Sequence, residues 1–394
     1  MNGNVGAAPG ALAGLAFIAL LLVSALLLLA WWRGRLRHRS AGGRVGALAG
    51  LALFLCFDLV CFGAYTRLSD SGLGCPDWPG CYATASPVAA AGAIAAAEAA
   101  APEGPVTQRK AWIEMIHRYF AMALGCLIII LLATAVGARR ETPTAWRWAL
   151  PTLGWYILQG VFGALTVTWR LYPAVVTGHL LGGMALLALL AQQVPWRAGS
   201  AARALPMPGR ARVALGVAGL ALLVQLALGG WVSTNYAVLA CTGFPACNGF
   251  WWPAMDWGSG FTVLRELGRR ADGQSISMSA LVAIQMAHRL FAIAVLAACA
   301  WLVVELGRLG EAARRRARLV ASLVILQIAT GLSNVVLGWP LLAALAHSAG
   351  AAALVICLAR EAALAVAARR LGQPVAPGAH PAILQADARP RFNP

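Results

Sequence analysis

The sequence predicts an all-α polytopic membrane protein, in which tandem duplicated four-helix bundles form an eight-helix core beside one extra N-terminal transmembrane helix. Three observations support this fold class. The chain of 394 residues is 60% hydrophobic and only 11% charged, a balance that soluble domains of this size do not have. Its apolar segments have the length that a membrane-spanning helix needs, about 20 residues. Motifs in the first half recur in the same order in the second.

Nine apolar segments are long enough to be transmembrane helices. They lie at 11–32, 46–66, 112–136, 147–168, 173–194, 213–234, 279–305, 317–338 and 340–359. The first segment is longer than the apolar region of a typical signal peptide, and its arginine cluster follows it instead of preceding it. We therefore interpret 11–32 as a retained helix. The tail 371–394 is predicted to be disordered.

The net charge of +17 is mainly a consequence of membrane topology. Arginines cluster in alternate connections, at 33–44, 139–147, 197–212 and 308–318, and again after the last span. These connections share one side of the membrane, which the positive-inside rule makes cytoplasmic. The C-terminus is therefore predicted in the cytoplasm. Contact with anionic membrane lipid is a further use of this charge, and no nucleic-acid partner is predicted.

The repeat divides the chain into four parts. Residues 1–45 contain the extra N-terminal transmembrane helix and a basic cytoplasmic loop, and residues 361–394 form a cytoplasmic tail. Residues 46–194 form the first four-helix bundle, with an alanine-rich insert at 83–105 that is flexible or partly helical. Residues 213–360 form the second. Because each bundle has four spans, an even number, both enter the membrane in the same orientation and form parallel repeats.

Four histidines carry the repeat: His117 in "IEMIHRYFA", His288 in "IQMAHRLFA", and His179 and His347, each 20 residues after a glutamine. All lie within predicted spans, roughly 8–14 Å below the outer surface at 1.5 Å per residue. A single intramembrane histidine is often only an interhelical hydrogen-bonding group. Four at similar depth, paired by a duplication, favour a functional site.

Heme iron explains a histidine pair in each bundle better than zinc does. Zinc requires three or four ligands, and only Glu114 is near enough in sequence to add one. Heme takes axial ligands on opposite faces, for which histidine is usual, and a four-helix bundle can hold the flat macrocycle. Glu114 lies one turn before His117, where a buried carboxyl can accept or relay protons. The second bundle has Gln285 at that position, which indicates one chemically active site and one supporting site.

An arginine directly follows the histidine in each copy of the "HR" motif. These arginines are Arg118, after His117, and Arg289, after His288. Near the membrane interface an arginine can pair with a carboxylate such as a heme propionate. Extension of the side chain to the interface, without a ligand, is the other interpretation.

Two cysteine pairs lie in loops on the predicted outer side, and the two members of each pair are six positions apart. An oxidising compartment permits disulfides there. Each pair is either a structural staple or a redox-active pair that handles electrons or heme. Neither is followed by the histidine of a C-x-x-C-H motif, so covalent c-type heme attachment is not indicated. The pairs are Cys75 with Cys81 and Cys241 with Cys247.

From about residue 46 to 360, the chain resembles the heme A synthase family. The resemblance is carried, in order, by "AYTRLSDSGLGCPDWPGC", "EMIHRY", "TGHLLGG", "GGWVSTNYA", "CTGFPAC", "MAHRL" and "AHSAG". It implies that His288 and His347 hold a resident heme b. It also implies that His117 and His179, together with Glu114, form the catalytic site for the substrate heme O.

The family oxidises the C8 methyl group of heme O to a formyl group through successive hydroxylations. The resemblance links the first cysteine pair to activity or heme handling. It implies a bacterial inner-membrane protein with its cysteine loops on the periplasmic face. Heme O synthase supplies the substrate, and heme–copper terminal oxidases receive the product. Contacts with heme O synthase, with oxidase assembly factors and with further copies of the chain are partner hypotheses.

Three other functions explain part of the pattern. A diheme b-type cytochrome that only carries electrons explains four histidines, but not the difference between Glu114 and Gln285. A heme transporter does not need paired axial ligands in both halves. A membrane thiol-oxidising protein would use only the loop cysteines. Heme A synthase is therefore the predicted function.

Overall fold

The computed structural model describes Gly34, residues 39–194 and residues 207–371, with side chains described to Ala367. Several parts of the sequence lie outside the described residues. They are the predicted helix 11–32, His38, His380, the tail after Leu371, and the arginines before Arg39 and within 195–206. The described part contains ten α-helices. They are α1 (Ala41–Leu68), α2 (Ala91–Ala100), α3 (Gln108–Gly137), α4 (Ala145–Thr168), α5 (Pro173–Gln193), α6 (Gly209–Thr234), α7 (Trp257–Gly260), α8 (Met278–Gly307), α9 (Glu311–Val336) and α10 (Leu341–Leu371).

Eight of these helices, all except α2 and α7, are long and apolar enough to cross a membrane. They correspond one to one with the predicted spans after 11–32, which confirms the all-α polytopic fold class. Most helices extend a few residues beyond the predicted bounds, and two extend by six residues or more. Helix α9 begins at Glu311 instead of 317, and α10 continues past 359. These extensions are rich in Ala, Arg, Glu and Leu, which favour helix, and an ion pair of 2.9 Å between Arg316 and Glu361 joins them.

The helices that carry His117 and His288 begin in the same way. The Thr107 hydroxyl accepts a hydrogen bond from the Lys110 backbone N–H at 3.2 Å and caps α3. The Ser277 hydroxyl does the same for α8, with the Ala280 N–H at 3.2 Å. Such caps satisfy backbone donors that have no partner within the helix. They therefore fix where each helix starts, and hence the depth of its histidine.

Each half is a ring of four long helices. In the first half α1 packs against α3 and α5, and α4 packs against the same two helices. In the second half α6 packs against α8 and α10, and α9 packs against those two. The halves meet where α5 contacts α6 and α10 and where α1 contacts α10. In each ring the two histidine-bearing helices, α3 with α5 and α8 with α10, therefore occupy diagonal positions.

The large apolar clusters lie toward the end of the helices opposite the cysteine loops. In the first half the cluster takes residues up to Cys56 from α1 and from Leu124 onward in α3. In the second half it takes residues up to Leu222 from α6 and from Val295 onward in α8. The histidines lie outside both clusters. Dense apolar packing therefore closes one end of each ring, and the histidines lie nearer the other end, which bears the cysteine loops.

The insert at 83–105 is partly helical, as expected. Its helix α2 places Ile94, which is fully buried, in a cluster with Cys75, Cys81 and Met115. The Glu98 carboxylate also accepts a hydrogen bond from the Gln108 N–H at 3.2 Å. The insert thus covers the first cysteine loop at the start of α3.

Candidate functional site

The structure brings the four predicted histidines together in two pairs. Each histidine lies between the seventh and eleventh residue of its helix, counted from the end that bears the cysteine loops. His117 and His179 are close enough to interact electrostatically, and so are His288 and His347. Each pair spans the diagonal of its own ring. Two imidazoles thus face the interior of each bundle from opposite helices.

Every one of these imidazoles lies against a glycine of a neighbouring helix. A Cβ atom at the glycine would lie 3.0 to 3.5 Å from the nearest ring atom, so three of the four contacts are tighter than ordinary van der Waals distance. The pairs are Gly63 with His117, Gly163 with His179, Gly229 with His288 and Gly331 with His347. The missing side chain lets the helix backbone approach the ring. The four glycines therefore define where the rings sit.

All four histidines are partly buried. The Nδ1 atoms of His179 and His288 are buried and have no hydrogen-bond partner within the described residues. Buried polar atoms normally have partners, so these rings are suited to a ligand.

Hydrogen bonds orient the His347 ring and hold the backbone carbonyls of both histidines of the second pair. The Thr330 hydroxyl lies 3.0 Å from His347 Nδ1. The amide of Gln327 donates to the His347 carbonyl at 3.0 Å, and that of Gln225 donates to the His288 carbonyl at 3.1 Å. A partner on one ring nitrogen holds the other ready to bind a metal. Two imidazoles on opposite helices, one of them oriented through its Nδ1, fit the axial ligands of a heme. Within the described ranges, no three His, Cys, Asp or Glu side chains form a cluster that could hold a metal ion.

Glu114 lies between the first histidine site and the first cysteine loop. Its side chain is buried, and its carboxylate accepts a hydrogen bond from the Cys75 N–H at 2.9 Å and one from Arg118 at 2.5 Å. At the matching position, Gln285 is equally buried, and its Oε1 has no partner in the described part of the chain. The carboxylate, and its link to a cysteine loop, are therefore features of the first half alone.

Arg118 and Arg289 bind the cysteine loops. Arg118 donates to the carbonyls of Asp77 at 2.9 Å, Pro79 at 3.2 Å and Gly80. Arg289 donates to the carbonyls of Cys241 at 2.8 Å and Gly243 at 3.1 Å. Each arginine thereby fastens a loop over the end of its own bundle. The predicted contact of these two arginines with propionates stays a prediction.

Both predicted cysteine pairs are disulfides in the structure. Cys75 and Cys81 are joined at an S–S distance of 2.08 Å, and Cys241 and Cys247 at 1.93 Å. After each disulfide a short bridge closes a tight turn, between Cys81 and Thr84 and between Cys247 and Phe250. The pairs are structural staples in this form of the protein, and their redox activity stays a prediction.

Sequence reasoning missed several residues at these sites. Gly63 and Gly229 could have been found from the sequence, since each precedes the "HR" motif of its half and recurs with the repeat. Asp58 was another, because an acidic residue within an apolar span is a functional candidate. It lies one turn from Phe62, whose ring stacks on His117 with centroids 6.4 Å apart. Arg67, near the end of α1, was also missed.

Comparisons with known proteins agree on one family. Residues 46–359 match the family model described as "COX15-CtaA: Cytochrome oxidase assembly protein". The chain is 36% identical to the heme A synthase of Shewanella oneidensis, over 78% of this chain and 93% of that protein. It is 29% identical to the heme A synthase of Methylobacterium nodulans, over 74% of this chain and 84% of the relative. The corresponding values for the heme A synthase of Caulobacter vibrioides are 29%, 76% and 90%.

Proposed function

The chain belongs to the heme A synthase family, and from this premise we propose that it oxidises the C8 methyl group of heme O to a formyl group by successive hydroxylations. The observation that carries the proposal is the asymmetry between the two histidine sites. Only the first has a buried carboxylate, Glu114, one turn from its histidine and bonded to both Arg118 and Cys75. An electron carrier with two equivalent hemes has no need of that difference.

In this proposal each half has its own task. Residues 46–194 form the substrate bundle, in which His117 and His179 bind heme O. Residues 213–360 form the supporting bundle, in which His288 and His347 hold a resident heme b. When bound, the hemes supply the redox chemistry. The protein supplies the ligands, the glycine-lined positions of the rings and the exclusion of water by the apolar clusters.

Glu114 serves as the proton acceptor. Replacement of a methyl hydrogen by a hydroxyl group requires proton transfer, and a positioned carboxylate accelerates such transfers by about 10² to 10⁴. Arg118 orients the carboxylate and places an opposite charge beside it, since its guanidinium lies 2.5 Å from Glu114. The Cys75 N–H holds the second carboxylate oxygen. Arg118 and the first disulfide loop are thus positioning elements for Glu114.

The same proposal places the protein in its cellular setting. The eight apolar helices make it an integral membrane protein, and we place it in the bacterial inner membrane. The cysteine loops face the periplasm and the C-terminus faces the cytoplasm. A heme O synthase supplies the substrate, heme–copper oxidases use the product, and oxidase assembly factors or a second copy of the chain are the candidate protein partners.

The test is conversion of heme O in a host that makes heme O but no heme A. Hemes extracted from cells with the wild-type protein should include heme A and its hydroxylated precursor by mass analysis. Glu114→Gln should abolish both, while Gln285→Glu, the reverse change at the matching position, should leave conversion intact. A wild-type protein that holds only b-type heme and forms neither product would identify an electron carrier. A protein with no low-spin b-type spectrum would favour a transporter.

A further inference from the structure

A narrow cleft lies between the two halves at the end that bears the cysteine loops. It is lined by residues of both: Arg67, Leu171 and Val176 from the first half, and Thr234, Tyr236 and Leu267 from the second. We infer that Arg67 binds the propionate carboxylates of the porphyrin in the first histidine site. The inference rests on the proposed function, which puts the substrate porphyrin there, and adds a residue that recognises it.

The first half places this cleft directly beyond the His117 and His179 site. On α1, Gly63 faces His117, and Arg67 follows Gly63 by four residues. On α5, Val176 precedes His179 by three residues and so lies nearer the cysteine loops. Three or four residues make about one helical turn, a rise of about 5.4 Å. Both helices therefore carry a site residue and, one turn further toward the loops, a cleft residue.

The second half completes the same geometry through α6. A Cβ atom at Gly230 would lie 3.1 Å from Thr177 and 3.0 Å from Leu180, the residues around His179. Thr234 follows Gly230 by one turn, lines the cleft and lies within 3.2 Å of the Thr177 hydroxyl. The positions of residues on three helices thus indicate that the cleft forms the rim of the first site, on the side of the cysteine loops.

Within the described part of the chain, Arg67 is a cation without an anionic partner. It donates to the Ser233 carbonyl at 2.5 Å, and its guanidinium carbon lies 3.9 Å from the centre of the Tyr236 ring. None of the ion pairs among the described residues includes Arg67. Asp70 is the nearby carboxylate, but it is engaged by the Tyr236 hydroxyl at 2.7 Å and by Lys110 at 3.4 Å. Burial raises the pKa of Tyr236, so that hydroxyl remains a donor.

Arg118, the other arginine beside this site, already donates to Glu114 and to three loop carbonyls. Arg67 is therefore the better placed guanidinium for a ligand. Its planar guanidinium can donate two parallel hydrogen bonds to a carboxylate. A porphyrin between His117 and His179 has hydrocarbon on its membrane side, where a carboxylate is costly. The propionates must then point toward the rim, where Arg67 lies.

The test is porphyrin binding, measured separately from oxidation. Full-length protein in phosphatidylcholine nanodiscs is titrated with hemin and with hemin dimethyl ester, which lacks the carboxylates. The first-site signal is the spectral change lost in His179→Ala. We expect the wild type to bind hemin about tenfold or more tightly than the ester, as charge-assisted hydrogen bonds allow. Arg67→Gln should remove this preference by weakening hemin alone, and Arg67→Lys should keep part of it. Arg109→Gln, which removes an exposed charge at the same end, should change neither affinity.

Other results would overturn the inference. Unchanged hemin binding by Arg67→Gln, or an equal loss of hemin and ester, would show that Arg67 is structural. An effect that appears only in nanodiscs with phosphatidylglycerol would identify a lipid phosphate as the ligand of Arg67. These outcomes leave conversion of heme O by the wild type, and so the proposed function, intact. Absence of any first-site porphyrin signal in the wild type would overturn both.

Discussion

Gly229 and Gly230 are neighbours on α6, yet they face different histidine sites. A Cβ atom at Gly229 would lie 3.0 Å from the His288 ring of the second half. One at Gly230 would lie 3.0 Å from Leu180 of the first half, beside His179. Because neither residue has a side chain, the α6 backbone approaches both sites. Helix α6 is therefore a shared wall, and the first site is not completed by its own half.

Alanine at these two positions should affect the two sites separately. In a helix interior, Gly→Ala by itself stabilises by up to about 1 kcal/mol, whereas the added methyl must displace tightly packed neighbours at a cost of about 1–3 kcal/mol. Gly229→Ala should lower heme occupancy at the second site, and Gly230→Ala at the first. Heme-to-protein ratios in His179→Ala and His347→Ala backgrounds measure each site. Gly219→Ala, which meets nothing within 4 Å, is the control. Loss at the same site in both variants would contradict the shared wall.

Arg118 should contribute more to stability than Arg289. Arg118→Ala leaves the buried Glu114 carboxylate without its cation, which typically costs about 3–5 kcal/mol. Arg289→Ala removes hydrogen bonds to two carbonyls, at about 1–3 kcal/mol. Thermal unfolding in detergent measures the difference. Adding Glu114→Gln to Arg118→Ala should restore part of the loss, because the unpaired charge is gone. Equal costs for the two arginines, with no such restoration, would show that Glu114 and Arg118 are not coupled.

Removal of the first disulfide should impair conversion more than removal of the second. The Cys75 backbone N–H donates a hydrogen bond to Glu114, whereas the Oε1 of the matching Gln285 has no hydrogen bond within the described residues. Replacing Cys75 and Cys81 with serine should therefore lower the conversion of heme O about tenfold or more, through the displaced general base. Replacing Cys241 and Cys247 should lower it less. The measurement is heme A formed per folded protein. A larger loss of conversion on replacing Cys241 and Cys247 would show that the first disulfide loop does not position Glu114.

The two ends of the molecule should be accessible from opposite sides of the membrane. Asp272 lies in the connection that holds the second disulfide, and Arg314 lies at the start of α9, at the other end. Both side chains are at least half exposed. In intact cells, an impermeant maleimide should label Asp272→Cys, while Arg314→Cys should react only after permeabilisation. The reverse pattern would invert the topology that the arginine distribution predicts.

The sequence by itself determined the eight described spans, the pairing of the histidines and the difference between Glu114 and Gln285. Span length depends on the local run of apolar residues, and a duplication repeats its spacings along the chain. Both are linear properties that can be read without coordinates. The ends of α9 and α10 were less accurately predicted, since helix continues into polar residues after the apolar run has stopped.

Only the tertiary structure decided which residues complete each site. The contact of Gly230 with the other half, the engagement of Arg118 by loop carbonyls and the position of Arg67 on a cleft between the halves depend on how helices are rotated and paired. In a membrane that pairing is set by close van der Waals packing at small residues and by a few hydrogen bonds. Such contacts join residues far apart in the chain, and no periodicity along the sequence records them.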